Sequence, residues 1–300
     1  MSDQRSNNFF KLIQFSCFLV FAGRAWQHLI WDAPFRAFFW DQALLEGMVT
    51  SLTGMEWFDY VTNPATDGFI QGLTRGMGVF YLGMAILTLL LKPTMKRVGW
   101  LYFVSSGLLA ILALLYCKEK FYHAAQFFEY AIQFLSPIFF YLTIFQKIDW
   151  SHLLLLLKGA IAMTFVAHGL YAFGFYPRPG VFVDMTINIL HCSEPFAHDF
   201  LWVAGVLDFV IGVGIFLPKV DRACLIYAVI WGLATAVART WANLQFDASF
   251  WALLNQYLPQ TIYRLPHGTI PMAAFVLTAY ISATSTSSEP QTVTAKPQHS

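Results

Sequence analysis

Residues 153–175 read LLLLLKGAIAMTFVAHGLYAFGF, an unbroken apolar run in which only Lys158 and His168 can carry charge. A helix needs about 20 mostly apolar residues to cross the hydrocarbon core of a bilayer. This run meets that length, so it predicts a membrane-spanning helix. Reading outward for the same length gives seven more. They are Leu12–Ile30, Gly76–Leu91, Val98–Cys117, Phe127–Phe145, Phe200–Leu217, Cys224–Thr240 and Leu265–Ile281. The composition agrees. Lys and Arg number 18 and Asp and Glu 17, charged residues make up only 12%, hydrophobic residues reach 57%, and the net charge is +1. Soluble domains carry about 25% charged residues. A soluble enzyme, a nucleic-acid binder and a disordered chain are therefore excluded, and the expected partner is the lipid bilayer.

The loops differ in character. The connection over 31–75 is long and acidic, with Asp32, Asp41, Glu46, Glu56, Asp59 and Asp67 against Arg36 and Arg75. The turns holding Lys92, Lys96 and Arg97, and Lys219 and Arg222, are short and basic. By the positive-inside rule the basic turns and both termini are expected on the cytoplasmic side. Every acid except Asp3, Asp149, Asp221 and Glu289 then falls on the outer side. Cys17, Cys117, Cys192 and Cys224 show no metal-binding spacing, and three of them lie in apolar runs as small hydrophobes. The first apolar run lacks a small-residue cleavage site and is expected to be the first span.

The chain also reads as duplicated. Tyr102 and Gly107-Leu108 recur at the same spacing as Tyr227 and Gly232-Leu233. Gly78-Val79-Phe80-Tyr81 parallels Gly205-Val206-Leu207-Asp208, and Phe21-Ala22-Gly23-Arg24 parallels Phe165-Val166-Ala167-His168. Pro34–Met48 and Pro177–Leu190 are amphipathic stretches at matching places, and each half ends with a charged residue ahead of a proline, Glu129 to Pro137 and Arg264 to Pro271. An even number of spans per unit makes this a parallel repeat. The expected fold is all-α: a polytopic membrane protein of about eight transmembrane helices in two parallel-repeat four-helix bundles. The units are 1–148, which carries the acidic outer loop, and 149–282. A disordered cytoplasmic tail is expected over 283–300.

His168-Gly169 closing one helix, followed by Gly205-Val206-Leu207-Asp208 early in the next, resembles the DoxX-like family of bacterial four-helix membrane proteins. The resemblance covers the second half and, through the duplication, the first half more loosely. Arg24 stands where His168 does, and Tyr81 where Asp208 does, so the first half departs from the acid–histidine pattern. The resemblance implies a place in the bacterial cytoplasmic membrane. At most it implies a subunit of a quinone-linked oxidoreductase, with quinone as the cofactor. The segment Arg24–Asp41, RAWQHLIWDAPFRAFFWD, reads as a signature with no activity attached.

Ionisable residues within spans are expensive and point to function by default. Arg24 and His28 lie one turn apart on one helix face. With Glu129, His168, Asp208, Arg239, Arg264 and His267 they fall at the outer ends of their spans, and Lys158 is almost alone at the other end. These eight are the candidate ligand-binding residues. The plainer readings stay open beside that one. Arg24 and Arg239 could snorkel to the headgroups, and His28 with Trp26, Trp31 and Trp40 could belong to an interfacial belt. Asp208 could pair with Arg239 or His168, and Glu129 with Arg75. His191, Cys192, Glu194, His198 and Asp199 crowd one outer loop, but His191 and His198 are too far apart for a compact metal motif, so no metal site is expected. Haem would need two histidines at matching depth. Only His28 and His168 qualify, and haem ranks below quinone. Two other functions remain: a carrier or lipid-handling protein, and a structural subunit that docks a membrane or periplasmic partner through residues 31–75.

Overall fold

In a computed structural model, which describes residues 2–146, 148–244, 247 and 249–287, the chain is helical with no strand among those residues. Lipid offers the backbone no hydrogen bonds, so long apolar runs close their own in helices. Ser2–Ile30 (α1) leads into a loop holding three short helices, Arg36–Phe39 (α2), Gln42–Thr53 (α3) and Trp57–Thr62 (α4). Then come Pro64–Leu90 (α5), Trp100–Glu119 (α6), Ala124–Phe128 (α7) and Ala131–Phe145 (α8). The second half follows with Trp150–Phe173 (α9), Gly180–Leu190 (α10), Glu194–Gly214 (α11), Asp221–Trp241 (α12), Phe250–Arg264 (α13) and Pro266–Ser287 (α14).

Seven helical segments among the described residues are long and apolar enough to cross a membrane: Ser6–Ile30, Pro64–Leu90, Lys96–Glu119, Ala124–Phe145, Trp150–Phe173, Glu194–Gly214 and Asp221–Trp241. The eighth expected span forms α14, Pro266–Ser287, which is not among these seven. It is nonetheless a central helix, with Ile270, Ala273, Ala274 and Leu277 buried against α1, α9 and α12. The outside of the bundle is apolar: Val79, Leu82, Ile86 and Leu89 on α5 and Val203, Val210 and Val213 on α11 are exposed. Exposed apolar surface on this scale needs a partner, and for spans of this length that partner is lipid. The chain is an integral, multi-pass membrane protein.

Several boundaries differ from the sequence reading. The second span starts at Pro64 rather than Gly76, because Asn63 caps the helix by accepting from Ala65 N at 2.9 Å and Pro64 sits in the first turn, where its missing N–H costs nothing. The sixth span starts at Glu194, with Pro195 in the first turn. Residues 250–264, not expected to be helical, form α13. The fourth span of the first half is interrupted at Glu129 and Tyr130, between α7 and α8. The matching break in the second half falls at Leu265, where the proline that follows disfavours continued helix. Helix α14 runs to Ser287, past the expected start of the disordered tail, and residues 288–300 lie outside the described residues.

Packing follows the same order in both halves. Helix α1 packs on α5 as α9 packs on α11, and α6 packs on α8 as α12 packs on α14. The halves also interlock, since α1 lies against α13 and α14, and α9 against α7 and α8. One buried cluster accordingly mixes Ile13 and Phe21 of α1 with Leu157 and Ile161 of α9. Close approaches recur at matching positions too. A Cβ on Gly78 would lie 3.0 Å from Leu29 N, and one on Gly205 would lie 2.5 Å from Phe173 N. Leu29 follows Arg24 at the spacing by which Phe173 follows His168.

Candidate functional site

The two helix breaks meet. Glu129, buried at the α7–α8 break, accepts from Arg264 Nη2 at 2.6 Å, at the end of α13. Arg239 Nη2 on α12 and His168 Nε2 on α9 each stand 3.9 Å from the same carboxylate oxygen. Gln126 Nε2 donates to the other oxygen at 3.3 Å. The expected partner, Arg75, is instead exposed on α5. The break also needs its backbone satisfied, and Ile132 N donates to Thr164 Oγ1 at 3.3 Å.

Arg24 does not snorkel, because it is 2% exposed. Its Nη2 donates to Gln133 Oε1 at 2.7 Å and its Nη1 to Gln27 Oε1 at 2.8 Å. The guanidinium lies 3.9 Å from the Tyr263 ring centroid and 5.2 Å from that of Tyr130, contacts of the cation–π type. Tyr116 stacks on Tyr130 at 5.1 Å and receives Gln27 Nε2 at 2.8 Å. Among the described residues no carboxylate lies within ion-pair distance of Arg24. His28 is fully buried, so it is no interfacial residue. Its Nδ1 meets Arg24 O at 2.7 Å and its ring lies edge-on to Tyr81 at 5.3 Å. Trp26 and Trp31 are tied to Asn255 on α13, by 2.8 Å and 2.9 Å hydrogen bonds.

Beside the Glu129 cluster lies a cavity of about 220 Å³ between α9, α10, α11, α12 and α14. Phe182, Met185 and Ile189 of α10 cover one wall, and Phe165, Leu201 and Trp231 form others. His168, Asp208, Arg239 and His267 also line it, and the two histidine rings are 5.6 Å apart. Asp208 forms neither expected ion pair among the described residues. The polar group beside its carboxyl is the Trp231 side chain of α12, and Gly169 and Gly205 let α9 and α11 approach closely at this level. Three polar atoms on these walls, His168 Nε2, Asp208 Oδ1 and His267 Nε2, are buried without a hydrogen-bond partner. Such atoms are rare, and three around one cavity suit a ligand head.

Of the eight candidates, Glu129, His168, Arg239, Arg264 and His267 thus form one cluster, and Asp208 faces the same cavity from α11. Arg24 adjoins the cluster through Tyr130 and Tyr263, whose rings also flank Arg264 at 5.4 Å and 6.0 Å. His28 stands apart, beside Phe35 and Tyr81, while His168 neighbours Phe182 and His267. The two histidines named for haem therefore have different surroundings. Gln27, Gln133, Tyr116, Tyr130, Tyr263 and Trp231 carried no charge to draw attention in the sequence. At the opposite end, Lys158 pairs with buried Asp221 at 2.9 Å. No group of three or more His, Cys, Asp or Glu among the described residues could hold a metal ion.

The acidic loop carries its own counter-charges. Arg36 pairs with Asp32 and Asp67, and Lys118 with Asp41. The Lys118 ammonium and the Leu44 amide hold the Asp41 carboxyl below the usual carboxylate range.

No family model matches the chain, and neither a curated protein nor a solved structure matches it.

Proposed function

We propose that this chain is a DoxX-like protein of the bacterial cytoplasmic membrane that receives a membrane-soluble amphiphile in the cavity of its second half. A quinone of a redox complex is the ligand that the DoxX-like resemblance implies. The observation that carries the reading is the convergence of His168, Asp208, Arg239 and His267 on one largely apolar cavity, three of them with an unpartnered buried atom. Apolar walls with a few convergent polar groups are the usual make-up of a small-molecule site. A quinone carbonyl needs hydrogen-bond donors, its tail needs apolar walls, and when bound it would carry electrons and protons. The matching helix pairs, glycine contacts and breaks support internal duplication, and the basic turns support cytoplasmic termini with a site that opens outward.

Native mass spectrometry of gently purified protein tests this. The wild type should retain a bound amphiphile, a quinone if the DoxX-like resemblance carries over to the ligand, and Asp208→Asn combined with His168→Ala should lose it while the helical content is kept. A folded, lipid-retaining wild type without any bound amphiphile would overturn the reading.

A further inference from the structure

The cavity borders a charge cluster that the described residues around it do not balance. Three arginines, Arg24, Arg239 and Arg264, face two carboxylates, Glu129 and Asp208. Counting both carboxylates as ionised and both histidines as neutral still leaves one positive charge in excess. Glu129 is committed to Arg264 at 2.6 Å, and Arg239 stands off at 3.9 Å. Among the described residues Arg24 meets only neutral partners, the amide oxygens of Gln27 and Gln133, the Tyr116 hydroxyl at 3.5 Å and tyrosine rings. Asp208 neutralises none of them, because no cation lies within ion-pair distance of it among the described residues. An unmatched charge away from water is far costlier than the same charge at a wet surface.

Of the three arginines only Arg239 lines the cavity. Its guanidinium packs on the Phe182 ring at 5.6 Å, which holds the planar fork at the wall. Its neighbours His168 and His267 each have an unpartnered Nε2. A guanidinium fork matches carboxylate and phosphate oxygens in pairs and binds them more strongly than neutral acceptors. Resting on the proposal that this cavity holds an amphiphile, we infer that the ligand's head is an oxyanion, a carboxylate or phosphate on an acyl chain, and that Arg239 receives it. The head supplies the missing negative charge, and the apolar walls take the chain.

Native mass spectrometry of the delipidated full-length protein in neutral detergent tests the inference, with palmitate, hexadecanol, phosphatidic acid and a short-chain quinone as probes. Palmitate or phosphatidic acid should bind at least about tenfold more tightly than hexadecanol, and the stronger of the two identifies the source of the oxyanion. Arg239→Gln should abolish the preference, and Arg239→Lys should keep part of it. If Arg239→Gln does not fold, the acid-against-alcohol comparison on the wild type still decides. Equal binding of acid and alcohol, tighter binding of the neutral quinone, or an undiminished preference in a folded Arg239→Gln overturns the oxyanion head and leaves the amphiphile pocket standing. Failure of all four probes to bind overturns both.

Discussion

Glu129 Oε1 and Arg264 Nη2 lie 2.6 Å apart, and each residue ends a helix that breaks within the bundle, α7 in one half and α13 in the other. The pair therefore joins the two interruptions and holds the halves together where the helices themselves are discontinuous. Removing one partner strands the other charge away from water, which costs about 3–5 kcal/mol for buried pairs. We predict that Glu129→Gln lowers the thermal midpoint in detergent sharply, and that Glu129→Gln combined with Arg264→Met recovers part of the loss. A single variant as stable as the wild type would falsify the pairing as a structural tie.

The helices were legible in the sequence because length and apolarity alone decide a span. The Glu129–Arg264 pairing was not, because nothing local says which faces meet between residues so far apart in the chain. Arg75 is the nearer cation along the chain, and it is exposed on α5. Arg24 shows a second limit. Its charge marked it as important, yet whether a guanidinium reaches the headgroups or stays buried depends on tyrosines and glutamines supplied by α6, α8 and α13. Helix α5 shows a third. Polar residues such as Asp67, Gln71 and Arg75 hid its first turns, although Asn63-Pro64 is a readable start signal.

Gly232 and Gly107 occupy matching places in the two halves but differ in what surrounds them. A Cβ on Gly232 would lie 2.2 Å from His267 O, whereas one on Gly107 meets nothing within 4 Å. Pro271 has no N–H to offer that His267 carbonyl, so the glycine lets α12 approach a helix turn that is already open. Gly232→Ala should destabilise by about 1–3 kcal/mol through overpacking and displace His267 from the cavity. Gly107→Ala should be neutral or stabilise by up to about 1 kcal/mol, the usual helix gain over glycine. Parallel thermal scans check the contrast, and a milder effect at Gly232 than at Gly107 would refute it.

Asp41 binds Lys118 at the end of α6 and also caps α3 by accepting from Leu44 N at 3.1 Å. Asp41→Asn should release this tether, raising amide hydrogen exchange across residues 42–53 while leaving the spans protected. The Asp41 carboxyl is held below its ordinary value of 3.8. A group lowered on folding stabilises above its unfolded value and loses that contribution as pH falls through the folded one. The tether should therefore be constant at neutral pH and weaken only below about pH 4. Exchange in α3 that rises between pH 7 and pH 5 would contradict this.

Cys192 offers a direct test of orientation. It lies between α10 and α11, at the end of the bundle that carries α2–α4 and the polar cavity, and it is the one cysteine that is not buried. Cys17, Cys117 and Cys224 are enclosed by helices, and alkylation requires access to the thiol. With the basic turns inside, a membrane-impermeant maleimide added to intact cells should label the wild type and leave Cys192→Ala unlabelled. Labelling that appears only after the membrane is permeabilised would reverse the orientation. The cavity would then open to the cytoplasm, and its amphiphile would arrive from the inner leaflet.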